Sequence, residues 1–390
     1  MLRSMFSGIS GLRAHQTMLD VTGNNIANVN TTGFKASQTQ FQDTLSQVLT
    51  NAGGGGAGVG GTNPAQVGLG VRTAGITTNF QQGAAQLTNR STDIMISGDG
   101  FFMVSKGGQN FYTRAGAFDF DASGQLVTAD GGLVRGWGAT ADGTIDTNGP
   151  LTNLTLPIGT LMGASATTAA GFAGNLPADA ADGTVLNREV DVFDAAGNRQ
   201  SLGLSFTKNA GGWSLDVSRD GTNLVTGHAL TFDASGQLTG GGTVTAGGIA
   251  VDLGTLTGFA GLTTVEAANQ NGRGAGTLQS FVIEPDGTLQ GAFSNGLKQP
   301  LGRVALATFA NPSGLEKAGD SLYQVSVNSG DPQVGAAGTG GRGSLTGGAL
   351  EMSNVDLSSE FTNLIIAQRG FQANSRVITT SDELLQELVN

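Results

Sequence analysis

Apolar residues recur at the spacing of a helical seam at both ends of this chain. Leu357, Leu364, Phe371, Ile378 and Leu385 fall at every seventh position, with Phe361 and Val389 on the interleaved positions. Towards the other end, Leu2, Met5, Ile9, Leu12, Leu19 and Ile26 follow the same alternation of threes and fours. A seven-residue repeat keeps one narrow stripe of a helix turned towards a partner. The spacing therefore predicts two terminal coiled-coil-type helices that act as assembly surfaces.

The first helix is expected from Leu2 to about Asn28, a length of about 40 Å at 1.5 Å per residue. Gly8, Gly11 and Gly23 lie inside it, and each costs about 1 kcal/mol relative to alanine. Such a helix is marginal alone and draws its stability from packing. The cluster Asn28-Val29-Asn30-Thr31-Thr32-Gly33 stops it. A further apolar-periodic stretch from Phe34 to about Leu49 groups with the helical end. The second helix is expected from near Asp356, where Ser353-Asn354-Val355-Asp356 offers capping side chains, and spans about 50 Å. Both helices could simply cover the body as core. Glycine-rich links beside them, and polar Gln16, Gln368 and Ser375 within the stripes, favour an interface that must fix register.

Between the ends the pattern changes to short alternating runs such as Val71 to Phe80, Phe101 to Val104 and Leu133 to Trp137, each bounded by Gly, Asp or Asn. The chain has 65 glycines in 390 residues, far above the usual share of about 7%, which suits many tight turns. Phe120-Asp121-Ala122-Ser123-Gly124-Gln125-Leu126 recurs unchanged at 232–238, and both copies read as hairpins around a glycine that wants positive φ. The fold class that follows is α+β, mostly β. Terminal helices from both chain ends accompany two glycine-rich antiparallel β domains, one inserted in the other. The expected division is 1–50 with 350–390 for the helical assembly domain and 51–70 with 335–349 for glycine-rich links. A discontinuous β domain takes 71–148 with 272–334, and the inserted outer β domain takes 149–271.

Several function classes lose support at this level. A net charge of −11 without a basic cluster argues against nucleic acid as a partner. The longest apolar block, Leu364 to Ala367, is far short of a membrane span, so no membrane insertion is expected. The first residues lack the continuous apolar region of a cleaved signal peptide. The absence of cysteine removes disulfides and thiolate chemistry. Asp119, Asp121, Ser123 and Asp130 imitate a calcium-loop spacing, but strand patterns flank them, and a hairpin turn is the simpler reading. The glycine run 53–61 lacks the strand and the Gly-Lys-Ser/Thr of a phosphate loop. His15, on the polar side of its helix, and His228 read as ordinary residues. No catalytic residue, cofactor or metal is expected, and the chain does not read as an enzyme.

The segment Asn24-Asn25-Ile26-Ala27-Asn28-Val29-Asn30-Thr31-Thr32-Gly33-Phe34-Lys35 resembles the N-terminal signature of bacterial flagellar axial proteins, the rod and hook group. Tyr112-Thr113-Arg114-Ala115-Gly116, Ser294-Asn295-Gly296 and Phe309 to Leu315 are similar to that group's shared β domain. Leu350 to Leu357, with Ser353, Asn354 and Asp356, and Gln368-Arg369-Gly370-Phe371-Gln372-Ala373-Asn374 are equally close. The insert at 149–271 sorts the chain with the hook members rather than the shorter distal rod members. The run Asn51 to Asn63 departs from the group in its length.

The resemblance implies a structural subunit that assembles with itself into a flexible helical tube and transmits motor torque to the filament. It implies as further partners the flagellar rod, the hook cap, the hook-filament junction proteins and the flagellar export apparatus. The implied location is extracellular, in the hook and basal body, after export without a cleaved signal. The alternatives are a distal rod subunit of the same group or, in another class, a secreted calcium-stabilised β-rich surface protein.

Overall fold

A computed structural model of the chain describes residues 2–56, 58, 60–156 and 161–389, apart from the side chains of Leu2, Leu388 and Val389. The chain divides into two compact units. The first holds the chain up to residue 156, residues 282–290 and everything from 300 onward; the second holds 157–281 and 291–299.

In the first unit, α1 (Leu2–Ala27) and α2 (Leu357–Val389) pack side by side in opposite directions, with Gly8 against Ile378 and His15 against Gly370. α1 stops where the Asn28 side-chain Nδ2 donates back to the Asn24 carbonyl at 2.9 Å and its Oδ1 accepts the Thr31 hydroxyl at 3.0 Å. The turn closes on Gly33 at φ +67°, where a Cβ would lie 2.5 Å from the Ala115 backbone nitrogen. Only glycine combines that φ with that approach. α2 starts behind Asp356, whose carboxylate accepts the N–H groups of Ser358 and Ser359 at 2.9 and 3.4 Å. This N-cap contributes about 1 kcal/mol.

The stretch after the first turn is strand rather than a continuation of the helical end. Ser37–Asp43 pairs with Val71–Thr78, and Ser46–Thr50 pairs with Ala65–Gly68. The glycine-rich run joins these strands as the far end of a hairpin, with Gly53 and Thr62 exchanging backbone bonds at 3.0 Å. The seam periodicity of residues 34–49 gave way because Val71–Thr78, alternating and rich in β-branched residues, offers an antiparallel partner. The second glycine-rich stretch is also paired. Gln333–Ala336 joins Lys298–Thr308, Ser344–Gly347 joins Ile94–Ser97, and Ala349–Glu351 joins Ala85–Leu87. Glycine weakens a strand, but the ladder here is anchored by buried Leu345 and Ala349.

The body of this unit is a sheet in the order Glu316–Gly319, Leu322–Gln324, Gln109–Thr113, Phe101–Lys106, Leu133–Gly138 and Lys298–Thr308. Its core gathers Phe101, Met103, Tyr112, Ala307, Phe309, Leu315 and Tyr323. The ring of Tyr112 meets that of Phe309 edge to face at 4.8 Å, the geometry aromatic quadrupoles favour.

The second unit contains a five-stranded antiparallel sheet, Val185–Phe193, Arg199–Asn209, Gly212–Arg219, Thr222–Phe232 and Leu238–Gly240 in sequence order. Alternation decides its inner face: Leu202, Leu204, Phe206, Trp213, Leu215 and Val217 are all buried. A second sheet orders Thr243–Ala246, Ile249–Thr257, Ala169–Asn175 and Glu266–Gln270. Its pair Ala169–Asn175 with Ile249–Thr257 is parallel, a departure from an all-antiparallel domain. Parallel neighbours need a long crossover, and here the five-stranded sheet itself lies between them in the chain. Both copies of the repeated heptapeptide are hairpins, pairing Phe120 with Leu126 and Phe232 with Leu238.

Candidate functional site

The two chain ends meet in a buried polar clasp. Pairing of Ala349–Glu351 with Ala85–Leu87 carries the Glu351 carboxylate inward, while the Gly33 turn delivers Lys35 from the other side. Lys35 Nζ donates to Glu351 Oε1 at 2.6 Å and to the Gln81 carbonyl at 2.7 Å, and neither charged side chain has any exposure. Glu351 Oε1 also accepts the Gly83 N–H at 2.8 Å. Arg114 brings a second cation, with Nη1 3.5 Å from Glu351 Oε2 and its guanidinium 5.4 Å from the centre of the Phe101 ring. Burial pushes the Lys35 ammonium below its ordinary pKa, against the opposing pull of the Glu351 carboxylate. Burial lowers Arg114 in the same way, with Glu351 and Asp99 opposing. A carboxylate held by two cations and a backbone N–H, shut away from water, has the chemistry of a lock and not of a proton donor.

Three asparagines extend the clasp. Asn25, 1% exposed, donates to the Ser37 carbonyl at 2.8 Å and to Glu360 Oε1 at 3.0 Å, and accepts the Ser37 N–H at 3.0 Å. Asn354 accepts the Ala36 N–H at 2.8 Å and donates to the carbonyls of Asn79 and Gln81. Asn374 donates to the Gly370 carbonyl at 2.8 Å within α2 and packs against Gly11 of α1. The other signature residues serve the same junction. Phe34 lies under the Lys317 ammonium at 5.2 Å, Ser353 accepts the Val355 N–H at 3.4 Å, and Asp356 caps α2. The Asn24 carbonyl receives Asn28, while Gln368 and Arg369 face solvent.

The seam between α1 and α2 is built of small residues. A Cβ on Gly11 would stand 2.6 Å from the Asn374 side chain, and one on Gly370 would stand 2.4 Å from the His15 ring. Ala14 and Ala367 are buried between the helices at 3% and 0% exposure. The glycines that weaken these helices singly are thus what lets the pair approach. His15 is not on a polar side: it faces α2, and its ring meets Phe41 edge to face at 5.7 Å. The heptad spacing could not tell it from Gln16, because Gly370 opposite leaves room for an imidazole.

The large apolar residues of the stripes divide. Met5, Leu12, Leu19, Ile26, Leu364, Ile378 and Leu385 are half-buried at the margins of the seam. Ile9, Leu357, Phe361 and Phe371 are exposed, and the Leu2 and Val389 side chains lie outside those described. Exposed apolar residues outside the heptad join them: Phe6 at 67%, Ile365 at 56%, Ile366 at 53% and Leu384 at 57%. The i, i+4 pair Phe361 and Ile365 was the sequence signal for this second face. In the sequence, the only local mark of Glu351 and Arg114 is that each is a lone charge within a run of apolar or small neighbours.

The residues that imitated a calcium loop are bonded as a turn. Asp121 Oδ1 accepts the N–H groups of Ser123 and Gln125 at 2.8 and 2.7 Å, Asp130 sits 2.8 Å from Lys106 Nζ, and Asp119 lies 3.4 Å from Arg90. His228 Nε2 is 3.1 Å from the Gly241 carbonyl.

Four family models match the chain in order. They are the flagella basal body rod protein model over residues 5–35, the flagellar hook protein FlgE/F/G D1 domain over 95–166, the flagellar basal body protein FlaE D2 domain over 163–300, and the C-terminal model of the flagellar basal body rod FlgEFG protein over 346–390. The flagellar hook protein FlgE of Borreliella burgdorferi is 40% identical, with 100% of this chain and 99% of that protein aligned. The FlgE of Treponema pallidum is 38% identical over the same shares. In fold, the crystal structure of the Helicobacter pylori flagellar hook protein FlgE2 superposes with a TM-score of 0.55 at 16% identity, covering 68% of this chain and 100% of that one.

Proposed function

The chain belongs to the flagellar hook and basal-body rod family as a structural subunit of the hook, and on that premise we propose that its helix pair is the element that polymerises. Subunits of this family self-assemble in the flagellar basal body and hook, and no helix among the described residues is long and apolar enough to cross a membrane. In the proposed arrangement, pairs of α1 and α2 from successive copies line the wall of a helical tube. The β units stand outside it, and the tube bends while carrying torque to the filament. Rod, cap and hook-filament junction proteins are the partners at its ends, and the export apparatus supplies the subunits.

One observation carries the reading. The helix pair satisfies its inner seam with glycine, alanine and asparagine and leaves Phe6, Phe361, Ile365, Ile366 and Leu384 bare. A run of exposed apolar side chains on paired helices is a binding surface. The same patch used head to tail by every copy gives an open helical polymer. The buried clasp supports the torque role, because it ties both chain ends to the β body through a fixed set of charges.

Deleting residues 1–30 and 356–390 is expected to leave a folded, monomeric β body that makes no tubes by electron microscopy, while the full chain makes curved ones. Tubes of native diameter from the truncated chain would refute the assignment.

A further inference from the structure

The outward face of α2 carries a charge stripe with no ion-pair partner among the described residues. Arg369, Arg376 and Glu383 are seven residues apart, and Glu387 follows at the next turn, so all four share one side of the helix. Helical spacing puts that side roughly opposite Ala367, Asn374 and Ser381, the residues turned into the seam with α1. All four side chains are exposed, and none takes part in an ion pair within 4 Å among the described residues.

The spacing withholds internal relief. A helix stabilises opposite charges at i, i+3 and i, i+4, yet no arginine of the stripe has an acid at those distances, nor any glutamate a base. Glu383 and Glu387 stand at i, i+4 to each other, a repulsive placement. They also stand near the negative end of the helix dipole, and the last turn holds no basic residue. Bare Ile365, Val377 and Leu384 border the stripe. The arrangement is unfavourable in one copy and complementary to a second.

We propose that this stripe sets the axial register between neighbouring copies: a second copy of this chain, shifted along the helix by about 19 Å, lays Glu383 and Glu387 beside Arg369 and Arg376 of the first. The proposal rests on the self-assembly reading above. It adds that copies dock by charge matching between staggered α2 helices, with the flanking apolar residues closing around the charges.

The test is charge reversal in the full chain, read by pelleting and electron microscopy at low and high salt. Arg369→Glu with Arg376→Glu is expected to cut the assembled fraction at least tenfold, with part of the loss recovered as salt rises. Adding Glu383→Arg and Glu387→Arg to that chain reverses the whole stripe and is expected to restore tubes. Melting of the β body, unchanged in both variants, shows that folding is not the cause. Undiminished assembly of the first variant would overturn the register role, and so would failure of the second to recover. If the unmodified chain forms no tubes, the assembly reading itself falls, and this inference with it.

Discussion

Lys35 and Glu351 stand 316 positions apart in the chain and 2.6 Å apart in space, both with no exposure at all. A pair of this kind stabilises little relative to an apolar pair, but removing one partner leaves a buried charge unmatched. Lys35→Met is therefore expected to lower stability by about 3–5 kcal/mol in urea denaturation followed by circular dichroism. Adding Glu351→Met should recover only part, because Arg114 then loses its carboxylate. A loss under about 1 kcal/mol for the single variant would show that water reaches the site.

Two glycine replacements should act in opposite directions. At Gly23 an added Cβ meets nothing within 4 Å, so Gly23→Ala should raise helix stability by about 0.5–1 kcal/mol. At Gly370 it would meet the His15 ring at 2.4 Å, so Gly370→Ala should push the helices apart despite the same intrinsic gain. Hydrogen exchange across 360–380 reads the difference: slower or unchanged in the first, faster in the second.

Asn25→Ala removes three hydrogen bonds in a site that is 1% exposed. The expected cost is about 1–3 kcal/mol, from leaving the half-buried Ser37 N–H and carbonyl without their Asn25 partner. The Ser37 amide should exchange markedly faster. Asn24→Ala, at an exposed position, serves as the silent control.

Acid should weaken the second unit through its turns. The hydrogen bond from Ser235 holds the Asp233 carboxyl below its ordinary pKa, and the one from Asn198 does the same for Asp194. An unfolded carboxyl of higher pKa binds protons first, so this stability is present above about pH 4 and is lost as pH falls through the folded values. Melting curves between about pH 5 and pH 2 should show a shallower acid slope for the Asp233→Asn, Asp194→Asn double variant than for the parent chain.

What could be read from the sequence was what depends on local spacing. The terminal helices announced themselves through three-four periodicity and an Asp356 cap, and the repeated heptapeptide announced its hairpin through Asp121, Gly124 and their copies. What could not be read was pairing over distance. Val71–Thr78 captured residues 37–43 as strand although their own pattern continued the helical one. The crossover that sets Ala169–Asn175 parallel to Ile249–Thr257 leaves no local mark. At the clasp, Lys35 belonged to a recognisable motif, but its partner Glu351 is one acid among 30 acidic residues, and only the fold distinguishes it. The helix seam was legible in period and misleading in content: spacing marked the leucines, whereas closest contact falls to glycines, which carry no apolar signal.

The Lys35–Glu351 bond also imposes an order of events. A chain threaded from its first residue presents the lysine early and the glutamate near the end. Until residue 351 has emerged, the pocket shaped to exclude water holds an ammonium with no anion, a state that favours remaining open. Closure thus requires the chain through Glu351 to be present. A product cut short anywhere upstream of Glu351 lacks that anion and leaves the Lys35 ammonium unmatched.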